Sequence, residues 1–209
     1  MIRALISDFG GVLTSPLAAG FLAYQEESGV SLEDLGKAMA AATKEHGAHP
    51  LFELEKGALS EGEFRARIEP HLERAFDLAH LRAAYFEHLQ PNRPVIDYLR
   101  ELREQGLRMA LLTNNVREWE PLWRSKLPEI DEIFETVVDS AFVGMRKPDP
   151  AIYELTVARL GDGLRCEECA FLDDLEINCE AARALGMVAV RFEHADQAIP
   201  ELKAALADQ

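Results

Sequence analysis

A chain of 209 residues with 48% hydrophobic side chains can build one large domain, or a core with a smaller insertion, and is too apolar to be disordered. Its net charge of −15, from 22 basic and 37 acidic side chains, repels nucleic-acid phosphates and anionic membranes, so neither is an expected partner. The same field repels a phosphorylated small molecule, which needs local cations or a metal to bind.

In chain order, the mostly apolar residues Ile2 to Ile6 suit a short buried strand. That strand runs into Asp8 and then Gly10-Gly11. A carboxylate there sits where open α/β sheets bind ligands, outside the carboxyl ends of the strands. The glycines permit a tight turn and a close approach to a bound group. Alone, this stretch is equally well read as a capped turn. Asp8 also interrupts the only apolar run near the N-terminus, which excludes a signal peptide. No apolar run approaches the ~20 residues that span a bilayer. The expectation is a soluble, cytoplasmic protein.

Residues 15–90 lack strong strand signals and read as helical. Ser31-Leu32-Glu33-Asp34 resembles a helix start, and Ser60-Glu61-Gly62-Glu63 a capping box. Phe64, Ile68 and Leu72 follow at helical spacing. A helical segment of this length exceeds an ordinary βαβ crossover and is expected to sit over the first turn as a lid. Within it, His46, His49 and Phe52 could reach a site below, or could equally be polar cap surface.

Beyond Asn92 the pattern changes. Val95, Tyr98, Leu99 and Leu102 form one face of a helix that stops at Gly106. Leu107 to Leu112 reads as a strand ending in Thr113-Asn114, and Ile133 to Val138 as the next. Between them, Trp119 and Trp123 are four residues apart on a polar helical stretch and are expected to pack rather than bind. Gly144 to Pro150 opens a helix. Cys169 to Leu172 is a strand ending in Asp173-Asp174, Glu176 to Leu185 a helix, and Met187 to Phe192 the last strand before a final helix. Alternating strands and helices give a doubly wound parallel sheet of the α/β class. Cys166 and Cys169 spell CxxC, but the third cysteine, Cys179, has no partner pair, so the cysteines are read as structural.

Asp8, Thr113-Asn114 and Asp173-Asp174 thus end three strands at one sheet edge, and Lys147 comes from a loop. A carboxylate can attack phosphorus. A hydroxyl, an amide and an ammonium can hold phosphoryl oxygens. Clustered carboxylates need a cation, and hard oxygens suit Mg²⁺.

Asp8-Phe9-Gly10-Gly11-Val12, Leu111-Leu112-Thr113-Asn114, Arg146-Lys147-Pro148 and Phe171-Leu172-Asp173-Asp174 resemble, in order and spacing, the four motifs of the haloacid dehalogenase-like (HAD) hydrolases. The last of these, with Asn178 and Ala181 to Gly186, is similar to the phosphatase domain at the N-terminus of soluble epoxide hydrolases and to bacterial sugar-1-phosphate phosphatases. The resemblance implies a Rossmann-like core of residues 1–14 and 91–209 with an inserted all-helical cap of residues 15–90. It implies a Mg²⁺-dependent phosphatase of small phosphorylated metabolites. Asp8 is then nucleophile and metal ligand, and Gly10 gives its backbone carbonyl to the metal. Thr113 and Asn114 bind the phosphoryl group, and Lys147 bridges it to the nucleophile. Asp174 ligates the metal, and Asp173 does so through water or acts as an orienting group.

One departure stands out. Phosphatases of the family usually place a second aspartate, the general acid, where this chain has Gly10. Two alternatives follow: a metal-independent haloacid dehalogenase, for which the acidic pair has no use, and a catalytically silent binding protein. Some sugar-1-phosphate phosphatases of the family also carry glycine here, which keeps the phosphatase first. A cap histidine or water could then assist the leaving group.

Overall fold

A computed structural model of the chain describes residues 1–16 and 18–207. Five strands, β1 (Ala4–Ser7), β2 (Arg108–Thr113), β3 (Thr136–Asp139), β4 (Cys169–Asp173) and β5 (Val188–Arg191), form one parallel sheet in the order β3-β2-β1-β4-β5. Strand β1 lies at the centre, with Ile6 opposite Ala110 of β2 and Phe171 of β4. All four residues of β1 and all five of β4 are buried, as a strand covered on both faces requires, whereas the edge strand β5 is largely exposed.

Side chains alternate across the sheet. Leu5, Leu111 and Leu172 pack with Val95, Leu99 and Leu102 of helix Arg93–Glu104 and with Leu202 of helix Ala195–Ala207. Ile6, Leu112 and Phe171 pack on the other face with Ile152 and Val157 of helix Pro150–Leu160 and Ala182 of helix Glu176–Ala184. The doubly wound parallel sheet expected from the sequence is the observed one. Because the chain order reverses beside β1, the carboxyl end of β1 opens at the switch point where such sheets bind ligands.

Between β1 and β2 the described residues form helices Ala18–Ser28, Leu32–His46, Pro50–Glu55, Glu61–Ile68 and Leu78–His88. Ser31 and Ser60 cap their helices as expected, each accepting from the backbone N–H three residues on, Asp34 and Glu63. Tyr24, Leu35, Leu54, Phe64, Ile68 and Leu81 give this insertion its own core. It leaves and rejoins the sheet side by side: Ser15 N–H donates to Gln90 O (2.7 Å) and Asn92 N–H to Leu13 O (2.8 Å).

The third strand starts later than expected. Ile130–Ile133 is a short helix, and β3 begins at Thr136. Ile130, Ile133 and Phe134 bury together at helical spacing, so an apolar run that reads as strand is half helical turn. Cys169 and Cys179 are buried, and desolvation pushes both thiols up to about 12, in keeping with structural cysteines.

Candidate active site

Strand ends place the acidic residues. Asp8 follows β1, Asp173 closes β4 and Asp174 follows it; one carboxylate oxygen from each lies within 4.8 Å of the others. Lys147 arrives from the loop before helix Pro150–Leu160 and is 1% exposed. Its Nζ donates at 2.7 Å to Asp8 Oδ1 and at 2.7 Å to Asp173 Oδ2.

Asp173 is fully committed. Its second oxygen, Oδ1, accepts from Leu175 N–H (2.9 Å) and Asn178 Nδ2 (2.9 Å). Those bonds lock the start of helix Glu176–Ala184 against the site. Asn114 is committed in part. Its Nδ2 donates to Lys147 O (3.0 Å) and its Oδ1 accepts from Lys147 N–H (2.8 Å). These two bonds clamp the lysine backbone and leave the second Nδ2 proton of Asn114 on the cavity side available as a donor. Thr113, 2% exposed, and Gly10 line the same cavity as Asp8 and Asp174.

Gly11 is required twice over. It sits at φ +79°, and a Cβ there would lie 2.5 Å from Asp174 Oδ2. The turn after β1 thus packs its bare backbone against the metal-type carboxylate.

The charges are poorly balanced. Burial raises the Asp8 pKa to about 7; Lys147 pulls it back, and Asp173 and Asp174 push it up. Burial, then Asp173, raises Asp174 too. Burial pulls the Lys147 ammonium down, but Asp173 and Asp8 outweigh it and the net shift is upward. Three carboxylates against one ammonium, in a site that water hardly reaches, is the arrangement a divalent cation relieves, and an all-oxygen donor set suits Mg²⁺.

Above these groups lies a cavity of about 300 Å³ that extends into the helical insertion. Phe21, Leu35, Met39, Leu51, Leu54 and Leu81 form much of its wall. His46 is exposed and does not line it. His49 instead stacks on Phe52 (centroids 4.1 Å apart), and the Arg146 guanidinium covers the Phe52 ring at 4.0 Å. His49 is thus spent on packing the insertion against the sheet domain, and His46 faces away from the cavity.

Of the wall residues with polar atoms, Tyr85 and Glu55 carried no sequence signal, and Trp119 was expected only to pack. Tyr85 lines the cavity, and burial followed by the charge of Asp8 raises its phenol pKa. Trp119 also lines it and donates from Nε1 to Glu61, whereas Trp123 is buried against Phe9 (5.1 Å) as expected. Arg146 Nε donates to Glu55 Oε2 (2.7 Å), tying the insertion to the loop that carries Lys147. The only sequence signal for that tie was that Arg146 precedes Lys147.

The haloacid dehalogenase-like hydrolase profile matches residues 2–186. The glyceraldehyde 3-phosphate phosphatase of Methanopyrus kandleri is 33% identical over 79% of this chain and 69% of its own length. The bifunctional epoxide hydrolase 2 of Rattus norvegicus is 24% identical over 97% of this chain, which spans only 38% of the rat protein. A HAD family enzyme from Bacteroides thetaiotaomicron, solved in complex with magnesium and inorganic phosphate, superposes with a TM-score of 0.66 at 25% identity, covering 91% of this chain and 94% of that one.

Proposed function

Because the chain belongs to the haloacid dehalogenase-like hydrolases, we propose that it is a Mg²⁺-dependent phosphatase of small phosphorylated molecules, working through an aspartyl-phosphate on Asp8. The observation that carries this reading is the buried Lys147 ammonium, 2.7 Å from both Asp8 and Asp173, beside a third carboxylate and at the floor of a cavity. Phosphatase relatives and a magnesium and phosphate complex of a structural neighbour support it.

In this reading residues 15–90 are the cap over a core of residues 1–14 and 91–209. An Asp8 oxygen attacks phosphorus, and the bond from phosphorus to the ester oxygen breaks as the alcohol departs. Water then attacks the phosphorus of the aspartyl-phosphate, which releases inorganic phosphate and returns the Asp8 carboxylate. Lys147 and the Thr113 hydroxyl hold the phosphoryl oxygens. Asn114 fixes Lys147 through its backbone, and Asp173 orients the ammonium. Asp8, Asp174 and the Gly10 carbonyl are the groups that would hold Mg²⁺, which neutralises phosphoryl charge and keeps Asp8 ionised.

The test is Asp8→Asn, assayed with p-nitrophenyl phosphate and Mg²⁺. Turnover should fall at least about a thousandfold, as loss of a nucleophile does, while circular dichroism and Tm show an intact fold. Undiminished turnover in that variant contradicts the mechanism.

A further inference from the structure

The cavity wall selects a substrate class. Resting on the phosphatase reading above, we infer that the substrate is a phosphate monoester of an apolar chain, seated with its phosphate at Asp8 and its chain among the cap helices, and not a sugar phosphate.

Polar groups are concentrated at one end. Asp8, Thr113, Lys147 and Asp174 stand where the phosphate sits. Away from them, Phe21, Met39, Leu51, Leu54, Leu81 and Val116 line the space. Several polar side chains on the rest of the wall already hold partners. Glu55 pairs with Arg146, Asn178 donates to Asp173, and Trp119 donates to Glu61. The Asn115 side-chain carbonyl accepts from Val116 N–H at 2.9 Å. Tyr85 also lines the cavity and brings a hydroxyl to it.

A sugar would bury several hydroxyls against this wall with few groups free to answer them. Each unanswered hydroxyl costs binding. An alkyl chain pays no such penalty and gains from leaving water. At ~30 Å³ per water-sized group, a cavity of about 300 Å³ holds about ten such groups. With the phosphate seated, that leaves room for a chain of roughly six to eight carbons. The net charge of −15 would repel further anionic groups on a substrate, a repulsion that an apolar tail avoids.

The experiment is a Kd series by calorimetry for non-hydrolysable n-alkylphosphonates, propyl to octyl, in the presence of Mg²⁺. Alongside it, kcat/KM is measured for the matching alkyl phosphates and for glucose 1-phosphate and glyceraldehyde 3-phosphate. Affinity should rise about three- to fourfold per methylene until the cavity is full, and kcat/KM for hexyl phosphate should exceed that for either sugar phosphate at least tenfold. Met39→Trp, which fills part of the cavity, should bring the plateau to a shorter chain. Where that variant does not fold, the natural protein's own series decides. An affinity independent of chain length, or a sugar phosphate turned over as well as hexyl phosphate, overturns the inference. The failure of the phosphatase reading is seen separately. Absence of p-nitrophenyl phosphate turnover with Mg²⁺ sinks that reading, while the phosphonate series still measures the preference for a chain.

Discussion

In the proposed mechanism glycine at position 10 leaves the departing ester oxygen without the usual aspartic acid, and Tyr85 is the hydroxyl-bearing side chain that the insertion brings to the cavity. Its raised pKa keeps the phenol protonated, so it can donate a hydrogen bond to that oxygen. This hypothesis predicts that Tyr85→Phe slows alkyl phosphates roughly tenfold, the worth of about one hydrogen bond. p-Nitrophenyl phosphate, whose leaving group needs little help, should be slowed far less. Equal slowing of both would assign Tyr85 to packing alone. At Gly11 the argument is steric. Alanine there meets Asp174 Oδ2 at 2.5 Å and must hold φ near +79°. Left-handed backbone alone costs roughly 1–2 kcal/mol, so Gly11→Ala should lower Tm by several degrees. It should also weaken Mg²⁺ binding in a calorimetric titration, because Asp174 has to move; unaltered Mg²⁺ affinity would separate Asp174 from the metal.

The helix Pro50–Glu55 joins the helical insertion to the sheet domain at the site. Glu55 accepts from Arg146 through its carboxylate and from Ser140 Oγ through its backbone carbonyl (2.6 Å). Gly57, just beyond it, comes so close that a Cβ would lie 2.2 Å from Ala141 O. Burial raises the Glu55 pKa, with Arg146 opposing, so the carboxylate depends on its partner. Arg146→Met should therefore destabilise the protein by about 1–3 kcal/mol, the cost of leaving a buried polar group unpaired, and lower Tm by several degrees. No change in Tm would show that the pair contributes nothing to docking the cap. None of this docking was legible in the chain. Asp8, Thr113 and Asp173 could be read because each ends a strand, and strand ends of a parallel sheet converge by topology. Glu55 and Tyr85 meet the site only through the packing of the insertion, which no local periodicity encodes. Ile133 was misplaced for a related reason: a short apolar run fits a strand and a helical turn equally.

At the scale of the molecule, a net charge of −15 surrounds a site that receives an anion. Screening should help binding, so kcat/KM for a phosphate monoester should rise with ionic strength at constant Mg²⁺. A fall would mean that the local cations Lys147 and Arg146 dominate the approach. Among the described residues no helix is long and apolar enough to cross a membrane. In the proposed mechanism Asp8 attacks phosphorus in a site completed by a divalent cation. Chelation tests it most directly. Protein stripped with EDTA should lose p-nitrophenyl phosphate turnover and regain it on titration with Mg²⁺, without acting on 2-chloropropionate in either state. Full phosphatase activity in EDTA, or metal-independent release of chloride from 2-chloropropionate, would contradict it.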